Sequence, residues 1–198
     1  MRRVAGAVAL ALVGGALAGC VTLAAEVAQK IWETRSTQDQ VVDAAIYTGV
    51  LNRMVDVDPV LALEIHVDVW EGRVLLTGKV SDPVLPAELE FLVRKDERVR
   101  TVYNRIQLPG REDSQGSFVS DLWIEAQLKV KLVTEDGVTS VNYRWQSIGN
   151  QVYIIGRAKD AKERDAVLRL VRGIGGVRAV HDFIEARPFG APAPAAAR

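Results

Sequence analysis

Sliding this chain against itself by 78 positions brings Asp43 onto Asp121, Ile46 onto Ile124, Val74 onto Val152, Gly78 onto Gly156 and Asp82 onto Asp160. The same register also pairs Arg94 with Arg172, Val99 with Val177, Val102 with Val180 and Ile106 with Ile184. A constant offset with no insertion means that one supersecondary unit occurs twice, so whatever residues 39–108 fold into, residues 117–186 must fold into again.

Periodicity gives the content of each unit. In the first, Asp39 is placed to cap a helix carrying Val42, Ala45, Ile46, Leu51 and Met54. The helix ends at Asp58-Pro59. Leu63, Ile65, Val67 and Val69 alternate with polar residues, as a strand with one dry face does, and Glu71-Gly72 turns the chain into a returning strand with Val74, Leu76, Gly78 and Val80. Ser81-Asp82-Pro83 opens a second helix with Leu89, Leu92 and Val93 inward, and Val99 to Leu108 form a third strand. The second unit repeats α-β-β-α-β. Ser117 caps a helix with Val119, Leu122, Ala126, Val130 and Val133 on one face; a hairpin turns at Gly149-Asn150; Asp160 caps a helix with Val167, Leu168 and Val171; Val177 to Glu185 close the unit. The fold class is therefore α+β, two tandem units each with a three-stranded sheet and helices on one face. A core of about 70 residues is marginal alone, so the units are expected to pack on one another.

The order of elements, the Val-x-x-x-Gly hairpin motif at Val74–Gly78 and Val152–Gly156, and the passage Gly176-Val177-Arg178-Ala179-Val180 resemble the BON domain of bacterial envelope proteins. The first unit departs from the family pattern at Arg98, where a glycine is usual; this affects one turn and leaves the fold intact. The resemblance implies a phospholipid-binding or adaptor module without enzymatic activity.

The N-terminus bears on location. Arg2 and Arg3, the apolar run Val4 to Leu17, and Leu17-Ala18-Gly19-Cys20 resemble a lipoprotein signal and its lipobox, which implies cleavage before Cys20 and acylation of its thiol. Cys20 is the single cysteine, so no thiol remains for a disulfide or a metal. With Val21 rather than aspartate next, the resemblance points to the outer membrane, facing the periplasm. The expected organisation is a signal peptide at 1–19, a lipidated N-terminus and linker at 20–38 with a short helix between Val21 and Arg35, BON units at 39–108 and 117–186 joined by a linker at 109–116, and a disordered Ala/Pro tail at 187–198.

Formal charge is balanced, with 25 basic and 25 acidic residues, and gives no reason to expect nucleic acid. No G-x-S-x-G, phosphate-loop or H-E-x-x-H motif is present. The two histidines, His66 and His181, occupy different places in the repeat and read as strand residues. Neither a cofactor nor a metal is expected. Gly173-Ile174-Gly175-Gly176 follows a helix rather than preceding one, which argues for a C-cap and turn over an anion site. Gly78, Gly156 and Gly176 read as structural, the first two at points where a side chain would meet a covering helix.

What remains is interfacial. The helix from Ser117 to Val133 combines Phe118, Leu122 and Trp123 with Lys129 and Lys131, which fits either a surface suited to lipid headgroups or a core Trp123 with the lysines on a solvated face. In dual-BON lipoproteins the first helix of the second unit binds anionic phospholipid, so the resemblance implies the same for this helix, and with it a part in envelope integrity. The alternative is an adaptor that pairs a protein partner along exposed strand edges.

Overall fold

The computed structural model describes residues 33–108 and 118–191. Helix α1 (Thr37–Val57) starts at Ser36, not at Asp39. Ser36 Oγ accepts from the Asp39 amide at 3.0 Å, which places Asp39 in the first turn, where its charge suits the helix dipole. Val57 is the last helical residue, as the Asp58-Pro59 pair dictates. A single helical turn, α2 (Leu61–Glu64), takes up Leu63, which sequence alternation assigned to the strand. The strand proper is β1 (Ile65–Trp70), followed by β2 (Arg73–Lys79). Helix α3 (Leu85–Arg94) begins later than Ser81-Asp82-Pro83. There Asp82 accepts from the Val84 amide in a local turn, and Pro86 rather than Pro83 sits in the first helical turn. β3 (Thr101–Gln107) completes the unit.

The second unit has the same order: α4 (Phe118–Thr134), a 3₁₀ turn (Ser140–Asn142), β4 (Tyr143–Ile148), β5 (Gln151–Ala158), α5 (Ala161–Arg172) and β6 (Ala179–Ala186). Ser117 lies outside the described residues. Asp160 caps α5 as expected, and Glu163 in the first turn accepts from the Lys159 amide just before the cap and from the Thr139 amide.

Each sheet runs first, second, third strand, with the hairpin antiparallel and the last pair parallel. Both hairpin turns place two consecutive residues at positive φ, Glu71 (51°) with Gly72 (72°) and Gly149 (61°) with Asn150 (64°), the type I′ geometry that matches strand twist. Alternate residues of each sheet face the unit's own helices. Ile46, Val50, Met54, Val67, Val74, Leu76, Leu89 and Val93 make one core; Ile124, Leu128, Leu132, Tyr143, Val152, Ile154, Val167 and Val171 make the other.

The opposite faces of the two sheets pack on each other. Trp70, Leu75, Tyr153 and Ile155 form a third cluster, edged by Tyr103, Ile148 and Phe183, with the Tyr103 and Phe183 ring centroids 4.5 Å apart. The central strands β2 and β5 are thus buried on both faces. The described residues from Thr34 onward belong to one compact unit.

The junction is also ionic. Arg73 is 1 % exposed and donates to Phe183 O at 2.7 Å and Gly156 O at 2.8 Å. Glu71, in the first hairpin turn, reaches into the second unit and accepts from Arg157 at 2.7 Å and from Arg187. Arg187 therefore belongs to the folded body, as does Phe189, whose ring carries the Arg157 guanidinium 5.3 Å from its centroid. The part of the expected disordered tail that is described, up to Ala191, is tied down instead. On the other side Thr34 donates to Asn142 Oδ1 and accepts from Arg157, while Arg35 pairs with Asp43 at 2.5 Å. Residues 33–35 are not helical; Cys20 and the rest of the expected short helix lie outside the described residues.

The departure at Arg98 has a local explanation. In the second unit the turn before the last strand holds buried Ile174 and Gly176 at φ 94°. At the equivalent places the first unit has a buried Asp96 and an exposed Arg98, which clasps the carboxylate through Nε at 2.8 Å and Nη2 at 2.7 Å without a left-handed backbone. That hydrogen-bonded guanidinium holds the Asp96 carboxyl down at about 2, from an ordinary 3.8. The pair's contribution is therefore fully present above about pH 4 and lost as pH falls toward 2.

Candidate functional site

The repeat identity Asp43/Asp121 has a precise mechanical role that sequence reasoning did not assign. Asp43 accepts from the Glu71 and Gly72 amides at 2.7 and 2.8 Å; Asp121 accepts from the Gly149 and Asn150 amides, both at 2.8 Å. In each unit one carboxylate on the first helix clamps both amides of the hairpin turn. Asp121 also accepts from Ser147 Oγ at 2.7 Å, and one turn further on Glu125 accepts from the Ser147 amide at 2.8 Å. Asp121→Ala leaves those buried amides without partners and is expected to lower the unfolding free energy by about 2 kcal/mol, read from urea denaturation, with Asp121→Asn intermediate.

The clamp sets the rotation of α4. With Asp121 and Glu125 drawn against the hairpin, Ile124, Leu128 and Leu132 enter the core with no exposed surface. The side chains that sequence periodicity grouped on one face, Val119, Leu122, Ala126, Val130 and Val133, do share a face, but it is the outer one. Trp123 and Phe118 join it, and the large apolar side chains of this stripe are between 48 and 77 % exposed. Lys129 is exposed and Lys131 half-buried at its flanks. The helix is apolar on two sides, one consumed by folding and one left over.

The leftover side is not a demand of the fold. In α1 the equivalent positions are Val41, Ala44, Ala45, Thr48, Asn52 and Val55, so Leu122, Trp123 and Val130 replace small or polar residues. Nor does helix α4 offer acids outward along the stripe, because Asp121 and Glu125 are both engaged by the hairpin.

The expected structural glycines are placed as follows. Gly78 (φ 138°) lies where a Cβ would sit 2.2 Å from Glu64 O, and Gly156 where one would sit 2.1 Å from Asn142 O. The obstacle is thus the last carbonyl of the short turn before each first strand, not the covering helix. Gly176 (φ 94°) presents its carbonyl to Asn150 Nδ2 at 3.0 Å and so ties the last turn to the hairpin. His66 is exposed on β1, and His181 stacks on Tyr153 with centroids 4.4 Å apart and bonds Gln151. Among the described residues there is no cluster of three or more potential metal ligands and no helix long and apolar enough to cross a membrane.

Two copies of an α-β-β-α-β unit, sheets back to back, with one surplus apolar helix face, make this a tandem α+β repeat protein. The BON domain matches twice, over residues 42–110 and 120–188, and the chain belongs to the BON domain family. It is 34 % identical over 120 residues to an uncharacterized protein in the gshII 5′ region of Anaplasma centrale, covering 61 % of this chain and 80 % of that one. To the outer membrane lipoprotein DolP of Haemophilus influenzae it is 27 % identical over 177 residues, 88 % of this chain and 86 % of that one. Among solved structures, CdsD, a structural protein of the type III secretion system of Chlamydia trachomatis, aligns over 73 % of this chain and 93 % of its own at 14 % identity, with a TM-score of 0.30 that carries no argument.

Proposed function

We propose that this protein is a non-enzymatic lipoprotein of the outer membrane, acylated at Cys20 and facing the periplasm, whose helix α4 lays its outer stripe on anionic phospholipid. One observation carries the reading: α4 exposes Phe118, Leu122, Trp123 and Val130 where α1, built on the same plan, has Gln40, Ala44, Ala45 and Asn52. Half-burying such side chains in the interface contributes about 1 kcal/mol apiece. Each lysine near an anionic surface contributes about 1 kcal/mol more. The six exposed apolar side chains of the stripe and its two lysines sum to about 8 kcal/mol gross. Association costs at least about 4 kcal/mol of that. The remainder, about 4 kcal/mol, corresponds to binding near about 1 mM, too weak for a free protein and sufficient for one already tethered by acyl chains. The similarity to a known outer membrane lipoprotein over most of both chains supports the location.

The test is a titration of residues 34–198 with mixed phosphatidylglycerol/phosphatidylcholine micelles, followed amide by amide in NMR. Signals from Phe118 to Val133 should move, and Leu122→Ala with Trp123→Ala should weaken binding at least tenfold, whereas Val41→Ser on α1 should not. Unmoved α4 signals would sink the assignment. A protein partner captured in cells that survives loss of Lys129 and Lys131 would instead favour an adaptor acting through strands β3 or β6, each of which is paired on one side only.

A further inference from the structure

The junction between the units contains one carboxylate that nothing so far explains. On β1, His66, Asp68 and Trp70 alternate with the core residues Val67 and Val69, so they point away from the unit's own helices. Across the junction stands β4, whose equivalents by the repeat are Arg144, Gln146 and Ile148. Asp68 thus meets Gln146, its own counterpart, whose side-chain amide lies close enough to act on the carboxyl. Duplication has put an acid against an amide one methylene longer. Asp68 Oδ2 is shut off from solvent and has no hydrogen-bond partner.

Chemistry makes this pair asymmetric in protonation. An ionised carboxylate can only accept, so one of its oxygens can take the Gln146 amide protons while the carbonyl of that amide gains nothing from it. A protonated carboxyl both donates and accepts, which lets acid and amide form a two-way pair and gives the stranded oxygen a role. We infer that Asp68 is an acid-set latch: charged, it loosens the contact between β1 and β4, and protonated, it closes a carboxyl–amide pair that holds the two units together.

The surroundings agree with this. Facing Asp68 are His66 on its own strand, Arg144 on β4 and Glu125 on α4; Arg144 and Arg35 also lie over the Trp70 ring, at 5.4 and 4.1 Å. Burial pushes the Asp68 carboxyl up to about 6 from 3.8, with Arg144, His66 and the Gln146 amide opposing and Glu125 adding to the rise. A raised carboxyl binds its proton more tightly in the closed form. Closure is therefore favoured below about pH 4 and weakened as pH rises through about 6.

The test uses residues 34–198 and two readouts. Carboxyl-carbon NMR should show Asp68 titrating near pH 6. Hydrogen exchange of the β1 and β4 amides, corrected for intrinsic rates, should show opening about tenfold more frequent at about pH 7.5 than at about pH 5. Asp68→Asn, a permanent amide, should abolish that difference, whereas His66→Gln should preserve it and so separate the latch from its titrating neighbour. A carboxyl that titrates in the ordinary range overturns the inference even if the variant fails to fold. So does equal protection of β1 and β4 at the two pH values, or a tenfold difference that persists in Asp68→Asn.

Discussion

Gly78→Ala is expected to lower the unfolding free energy by about 4 kcal/mol, enough to leave the first unit barely folded at room temperature. Two costs combine. The backbone at φ 138° is one that L-residues rarely adopt, worth about 1–3 kcal/mol, and the new methyl would lie 2.2 Å from the Glu64 carbonyl, which as backbone in a packed turn has little room to yield. Gly137→Ala separates the two. That glycine also has positive φ, 80°, but nothing lies within 4 Å of the position a Cβ would take, so about 1 kcal/mol is expected. Urea denaturation of both variants checks the pair. Equal losses would show that conformation alone, rather than the collision with α2, makes Gly78 necessary.

Glu71→Gln should cost about 3 kcal/mol by a different route. The Glu71 carboxylate is buried and holds two guanidinium groups from the second unit, Arg157 and Arg187, whose side chains are 4 and 12 % exposed. Burial holds the Arg157 guanidinium below its ordinary value against the opposing attraction of Glu71, so removing that carboxylate leaves a charge with little solvent and only the weaker attraction of Asp39 and Glu185. The loss should extend beyond stability. Because the contact joins the units, hydrogen exchange along both β2 and β5 should rise together in the variant. A double variant, Glu71→Gln with Arg157→Met, should recover part of the stability, since no uncompensated cation then remains at that position. If the double variant is as unstable as the sum of its parts, the pair is not coupled and the junction is held by its apolar cluster and the Arg73 bonds instead.

The sequence and the structure diverge most clearly along α4. A hydrophobic pattern predicts a face only when the opposite side is polar, and here Val119, Leu122, Ala126, Val130 and Val133 compete with Ile124, Leu128 and Leu132. The repeat itself carried the answer: Ile124 is the counterpart of Ile46, and Leu128 and Leu132 of Val50 and Met54, all buried in α1 or α4. Hairpins were legible because Glu71-Gly72 and Gly149-Asn150 have the turn chemistry their backbone requires. The ionic junction was not. Glu71 aligns with Gly149 and Arg73 with Gln151, so of the junction's charges only Arg157, opposite Lys79, has a like-charged counterpart, and they meet only when the sheets pack back to back. Helix starts slipped by a few residues because Asp39 and Asp82 are each good local acceptors, one used inside a first turn and one in a turn ahead of the helix.

The short segment before α1 has a mechanical consequence. Thr34 is hydrogen-bonded to Asn142 and Arg157 of the second unit, and Arg35 to Asp43, the residue that clamps the first unit's hairpin. Tension arriving along the chain from residues before Thr34 therefore does not peel the first helix from its end. It is divided at once between both repeats, so the body responds to a tug as a single piece.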